Sequence, residues 1–147
     1  AVGVGLVLAS MLFMRRMIEI SEVRLLAESH PHVSEPLPRW IAYYEVAGPL
    51  FFGAAHRAMS VLHRSRTDAR VVVLDLAAVP VIDSSGIANL RSALSRLHAD
   101  GLVVVLTGVR PRVLGVLERA GLVPEEGRTL FAADARAAVA AARAFAP

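Results

Sequence analysis

The stretch Val79-Pro80-Val81-Ile82-Asp83-Ser84-Ser85-Gly86-Ile87 ends an apolar run with an acid, two hydroxyls and a glycine, and a helical pattern begins directly behind it. Upstream, Val71-Val72-Val73-Leu74-Asp75-Leu76 is a continuous, β-branched-rich run of strand length, as a strand buried on both faces requires. Downstream, Ile87, Leu90, Leu94 and Leu97 recur at helical spacing, Arg91 and Arg96 fall on the other side, and Asp100-Gly101 supplies a C-terminal stop. Asp and Ser cap helix starts, and Gly relaxes the backbone there. The stretch therefore reads as a central strand handed over to a helix, with Val79–Ile82 either extending the strand past Pro80 or forming a short piece of its own. Asp83 or Ser84 supplies the cap. Both serine hydroxyls are presented at a strand's carboxyl end, the edge where open α/β sheets receive ligands and partners.

The alternation continues outward on both sides. Leu102–Leu106 is a second buried-strand run closed by Thr107-Gly108, and Pro111 opens a helix carrying Val113, Leu114, Leu117 and Ala120 that stops at Gly121. Thr129–Phe131 reads as a short edge strand, and Asp134 starts an alanine-rich helix through Ala144. On the N-terminal side, Trp40–Val46 is rich in β-formers, Gly48-Pro49 breaks it, and Leu50-Phe51-Phe52 follows as a second short strand. Gly53 then opens a helix with Ala55, Met59 and Leu62 at helical spacing. The fold class is α/β: a mostly parallel central sheet with right-handed crossovers, an antiparallel N-terminal strand pair and about four flanking helices.

The first segment obeys different rules. Ala1 to Met14 has no polar residue except Ser10, and Arg15-Arg16 follows at once. As a helix, those residues span about 21 Å, short of a hydrocarbon core of roughly 30 Å. An amphipathic core helix needs a solvent face that this run does not offer. It reads as the end of a transmembrane helix over residues 1–16, with the arginines placing the remainder of the chain in the cytoplasm. Met17–Glu28 keeps a helical spacing of Ile18, Ile20, Val23 and Leu26, so residues 17–38 read as a membrane-proximal helix and a linker containing Pro31, Pro36 and Pro38. Residues 39–147 form the globular domain.

Composition removes several chemistries. The chain of 147 residues has no cysteine, and all sixteen basic residues are arginine. Thiolate metal sites, cysteine nucleophiles, Schiff-base chemistry and a phosphate-loop lysine are thereby excluded. The formal charge of +3 is spread along the chain without a basic block, and no basic residue interrupts the aromatic segment Trp40–Phe52, so nucleic acid is not a partner. His30 and His32 lie in the linker without a third ligand, and His56 and His63 are two turns apart, too far for one ion; no metal site and no cofactor is expected. An enzymatic use of Ser84 or Ser85 needs a base, and the turn is neither a Gly-x-Ser-x-Gly elbow nor next to a histidine. His56 or His98 would have to be brought there by the fold. No catalytic residue is expected, and nucleotide binding is a weaker reading resting on the room that Gly86 and Gly108 leave.

Three segments taken together carry a resemblance: Gly48-Pro49-Leu50-Phe51-Phe52-Gly53-Ala54-Ala55, Val72-Val73-Leu74-Asp75-Leu76, and Val79 to Gly86 with its Asp-Ser-Ser-Gly turn. They resemble a STAS domain, most closely the type at the C-terminus of SulP-family anion transporters, and the resemblance covers Arg39 to the C-terminus. It implies a regulatory or interaction domain on the cytoplasmic side of a secondary transporter for sulfate, bicarbonate or a related anion. The implied partners are the membrane domain of the same transporter, a second copy in a homodimer, and a regulatory protein or kinase. Gly48, Pro49, Leu50, Phe51 and Phe52 are the implied contact with the membrane domain. Asp83, Ser84, Ser85 and Gly86 are the implied regulatory turn, Ser85 matching the phosphorylated serine of anti-sigma-factor antagonists. A stand-alone phospho-switch module of that second kind is the alternative.

Overall fold

The computed structural model describes residues 2–20, 22–26, 34–48 and 68–147. Helix α1 is Val2–Ile20 and strand β1 is Glu22–Leu26. Strands β2 (Ile41–Ala47) and β3 (Val71–Ala78) follow, then α2 (Ser84–Ala99), β4 (Val103–Thr107), α3 (Pro111–Arg119), β5 (Thr129–Ala132) and α4 (Ala135–Arg143). The strands form one sheet in the order β1-β2-β3-β4-β5, antiparallel between β1 and β2 and parallel from β2 to β5.

Alternation along the parallel strands divides the core into two layers. Val72, Leu74 and Leu76 of β3, with Tyr44, Val104 and Leu106, pack under Ile87, Leu90, Leu94 and Leu97 of α2 and Val113 and Leu117 of α3. Val71 and Val73, with Ile41, Tyr43 and Val105, face Ala135, Ala138, Val139 and Ala142 of α4 on the opposite side. The alanines let α4 lie close to the sheet, so a helix poor in large apolar residues still covers its face. Both layers are well specified because the parallel strands carry apolar residues on both sides.

The fold class is as expected, and the N-terminal edge differs in detail. The helix expected through Glu28 ends at Ile20, and Glu22–Leu26 is a strand instead, paired from Glu22 with Ala47 to Leu26 with Tyr43. A short run such as Glu22-Val23-Arg24-Leu25-Leu26 also alternates with period 2, and the open edge of β2 offers it a complete ladder of backbone partners. This strand completes the antiparallel pair for which Leu50–Phe52 was expected; Pro49–Phe52, the helix after Gly53 and the His30–His32 linker lie outside the described residues. The strand over Val71–Leu76 runs on to Ala78 and stops before Pro80. Among the described residues no helix is long and apolar enough to cross a membrane.

Candidate functional site

The carboxyl edge of the parallel strands collects the chemistry. At the β3–α2 corner, Asp83 is extended (φ −105°, ψ −176°) and caps α2 by accepting the Gly86 N–H at 2.7 Å. Ser85 donates its hydroxyl to the same carboxylate, at 2.9 Å to Oδ1 and 3.1 Å to Oδ2. Of the two candidate caps, Asp83 takes the role. Ser84 stands exposed at the first helical position, Ser85 is half-buried and Gly86 buried. The two hydroxyls therefore differ: one faces solvent, and the other is held in place by an acid two residues before it.

A second carboxylate lies within the sheet, in a different state. Asp75 is 8% exposed, accepts the Tyr43 phenol at 2.6 Å through Oδ2 and accepts the Ala77 N–H at 2.9 Å through Oδ1. Tyr43 is fully buried. Its burial first, then the hydrogen bond to Asp75 and the charges of Asp75, Glu45 and Asp134, push the phenol well above the ordinary tyrosine range, so it stays protonated and donating. Thr107, the register partner of Asp75 on β4, is buried with its hydroxyl unpaired among the described residues.

The loops around these groups are pinned to the end of β3. The Gly48 N–H donates to the Ala78 carbonyl at 2.9 Å, and Arg110 Nε donates to the Ala77 carbonyl at 2.9 Å. Gly108 has φ +66°, and a Cβ there would lie 2.8 Å from both Asp75 Oδ1 and the Ala77 Cβ. Gly108 thus lets two backbones meet and leaves no room for a ligand at its own position, contrary to the expectation that motivated nucleotide binding. The open space at this edge, about 450 Å³, lies beside it among Asp75, Ala77, Gly108, Asp134, Ala135 and Arg136.

His98 cannot serve Ser85. About 20 Å of helix rise separates them along α2, and His98 Nε2 instead meets the Arg128 carbonyl at 3.0 Å and Thr129 Oγ1 at 3.1 Å. Of the implied membrane-domain contact, only Gly48 is described, in the left-handed region at φ +88°. Among the described residues no cluster of three or more His, Cys, Asp or Glu is placed to hold a metal ion. Sequence reasoning misses the Tyr43–Asp75 pair, although an acid inside the run Val71–Leu76 is a signal that a buried partner must exist.

The STAS-domain family model matches residues 29–137. YvdB of Bacillus subtilis (strain 168), a protein named for sulfate transport, is 27% identical over 131 residues, which is 88% of this chain and 24% of YvdB, so the chain spans a minor part of that relative. The crystal structure of a sulfate transporter family protein from Wolinella succinogenes is 31% identical with a TM-score of 0.68, over 79% of this chain and 97% of the other. The STAS domain of a SulP transporter from Vibrio cholerae is also 31% identical, with a TM-score of 0.63, over 74% of this chain and 84% of the other. Sheet order, the Asp83–Gly86 corner and these likenesses agree: the chain belongs to the STAS-domain family, in the form found in SulP transporters.

Proposed function

We propose that the chain is the cytoplasmic regulatory and interaction domain of a SulP-type secondary anion transporter for sulfate, bicarbonate or a related anion, and that it is not an enzyme. The observation that carries this reading is α1. Its large apolar side chains from Val2 to Met14 are each more than half exposed, so none is packed on the domain, and Arg15-Arg16 ends the run. Such a helix has no solvent face and suits a bilayer, with the basic residues on the cytoplasmic side.

In this reading residues 1–16 end a membrane span, residues 17–38 connect it while adding β1 to the edge of the sheet, and residues 39–147 form the remainder of the domain. Gly48–Phe52 meets the membrane domain, a second copy completes a homodimer, and no cofactor takes part. Asp83–Gly86 is the regulatory turn. Phosphorylation of Ser85 would place a group of charge about −1.5 to −2 against the Asp83 carboxylate, disturbing the corner and changing what a partner meets.

The test is anion uptake by proteoliposomes containing the product of the complete reading frame. Sulfate or bicarbonate uptake that falls several-fold on deletion of residues 39–147 supports the reading; a frame with no run of membrane spans upstream overturns it. The Asp83–Ser85 hydrogen bonds favour one other reading, a stand-alone phospho-switch module. Mass spectrometry after incubation with a cognate kinase, on a frame without membrane spans, would favour that alternative if Ser85 were modified.

A further inference from the structure

The two faces of the sheet are covered by helices of very different holding power. On one face α2 and α3 bring Ile87, Leu90, Leu94, Leu97, Val113 and Leu117 to the core. On the other, α4 brings Ala135, Ala138, Val139 and Ala142, so Val139 is its one buried side chain larger than a methyl group. At 9 residues α4 is also too short to be stable by itself, since isolated helices shorter than about 12–15 residues are marginal in water. Its place depends on what is packed around it.

That packing includes the end of the linker. Leu37 is 8% exposed, and among the described residues it is the one buried member of the α4 layer that belongs neither to a strand nor to α4. Trp40 and Phe145 reach the layer only partly buried. Leu37 stands between Pro36 and Pro38. Both prolines fix φ, and a residue before a proline is held extended, so this stretch loses little freedom on docking and behaves as a stiff strap. The Pro38 carbonyl accepts the Ile41 N–H at 3.0 Å, which turns the chain into β2. On the other side of Leu37, Glu35 Oε2 meets the Arg143 guanidinium in the last turn of α4 at 2.8 Å. Ser34 and Glu35 border a groove of about 300 Å³ whose other wall is Arg136, Val139, Ala140 and Arg143. The ion pair is exposed, and exposed pairs contribute little, so it sets where the strap lies while Leu37 supplies the hold.

We propose that residues 34–38 are a strap that latches α4 onto the sheet. With the strap seated, α4 covers its face; with the strap lifted, α4 leaves while β2 to β5, α2 and α3 remain folded. The proposal goes beyond the transporter reading and holds whether or not α1 lies in a membrane. The strap is also the chain's way from β1 into β2, so a displacement of α1 and β1 reaches α4 through it. At the opposite end of α4 from Arg143, Arg136 lines both the strap's groove and the cavity bordered by Asp75. Lifting α4 therefore opens the inner acid and its Tyr43 partner to solvent.

Amide hydrogen exchange of the full chain in detergent micelles, read by mass spectrometry, tests the latch. Leu37→Ala removes the hold, and exchange in Ala138–Ala144 should quicken at least about tenfold more than in Leu90–Leu97 of α2, which packs on the opposite face. Glu35→Arg, a surface change that leaves the core intact, should quicken α4 alone by about two- to fivefold, and adding Arg143→Glu should restore most of the protection. Unchanged exchange in α4 with Leu37→Ala overturns the latch. Equal quickening of α2 and α4 overturns it too, because Leu37 is then an ordinary core residue whose loss loosens the whole domain. An absent Glu35→Arg effect, or one that Arg143→Glu leaves in place, overturns the seat assigned to the strap.

Discussion

Asp75 and Asp83 belong to one strand-to-helix segment, yet they are placed in opposite ways. Asp75 is buried within the sheet and bound by a phenol that burial keeps protonated; Asp83 is exposed at a helix start and bound by a backbone N–H and a neighbouring hydroxyl. A desolvated carboxylate with charge-assisted partners is costly to disturb, because removing either side leaves a buried polar group without its partner. An exposed cap can lose its partner to water. The difference teaches that this segment has an inner acid that holds the sheet's edge together and an outer acid whose contacts can be rearranged at little cost, which is the property a regulatory corner needs.

The largest effect is expected at the inner acid. Asp75→Ala removes the acceptor of both the Tyr43 phenol and the Ala77 N–H, and urea unfolding should show a loss of about 3 kcal/mol. A loss below about 1 kcal/mol would break the comparison, since Asp75 would then be no more costly to remove than an exposed cap.

The same pair has a signature in alkali. The Tyr43 phenol is raised in the folded chain, so its contribution to stability is complete below its unfolded value of about 10 and is lost as the pH rises above it. Above that point the unfolded chain releases a proton that the folded chain retains, and stability should fall by about 1.4 kcal/mol per pH unit. With no lysine and no cysteine, the two tyrosines are the only side chains of ordinary pKa near 10 in this range. Thermal unfolding between about pH 9 and 11 should therefore show a steep decline that Tyr43→Phe makes shallower, and an unchanged slope in that variant would assign the decline elsewhere.

Much of this was legible in the sequence where local chemistry decides the outcome. Asp83 and Asp134 cap helices, Pro111 opens one, and Gly101 and Gly121 follow helix ends with positive φ, because caps and turns depend on residues a few positions apart. The turn was legible as a helix start, with Asp83 one of the two caps it offered. What escaped depends on distant partners. Glu22–Leu26 satisfies both helical and strand periodicity, and the vacant edge of β2 settles it. Tyr43 and Asp75 are 32 residues apart, so nothing local announces their pairing, and Gly108 reads as open space until Asp75 and Ala77 are seen against it.

At the outer acid the expected effects are smaller. Asp83→Ala removes the cap of α2 and should cost about 1 kcal/mol, read as a shift of the urea midpoint without a change of slope. Restoring the cap with Asp83→Asn should recover most of that loss, because an amide oxygen still accepts the Gly86 N–H.

The smallest effect belongs to Ser85. Among the described residues its hydroxyl bonds only a carboxylate that is itself exposed, and that carboxylate keeps the Gly86 N–H when the hydroxyl is gone. Ser85→Ala should therefore change stability by no more than about 0.5 kcal/mol, as surface substitutions away from a cap generally do. A double-mutant cycle with Asp83→Ala measures the remainder: coupling well below the cost of removing the cap means that the corner stands without the serine, and coupling of the same size would make Ser85 part of the cap. Only in the first case is the hydroxyl free to be modified without unfolding the helix start, so this small number decides whether the turn has the mechanical independence that a phosphorylation switch requires.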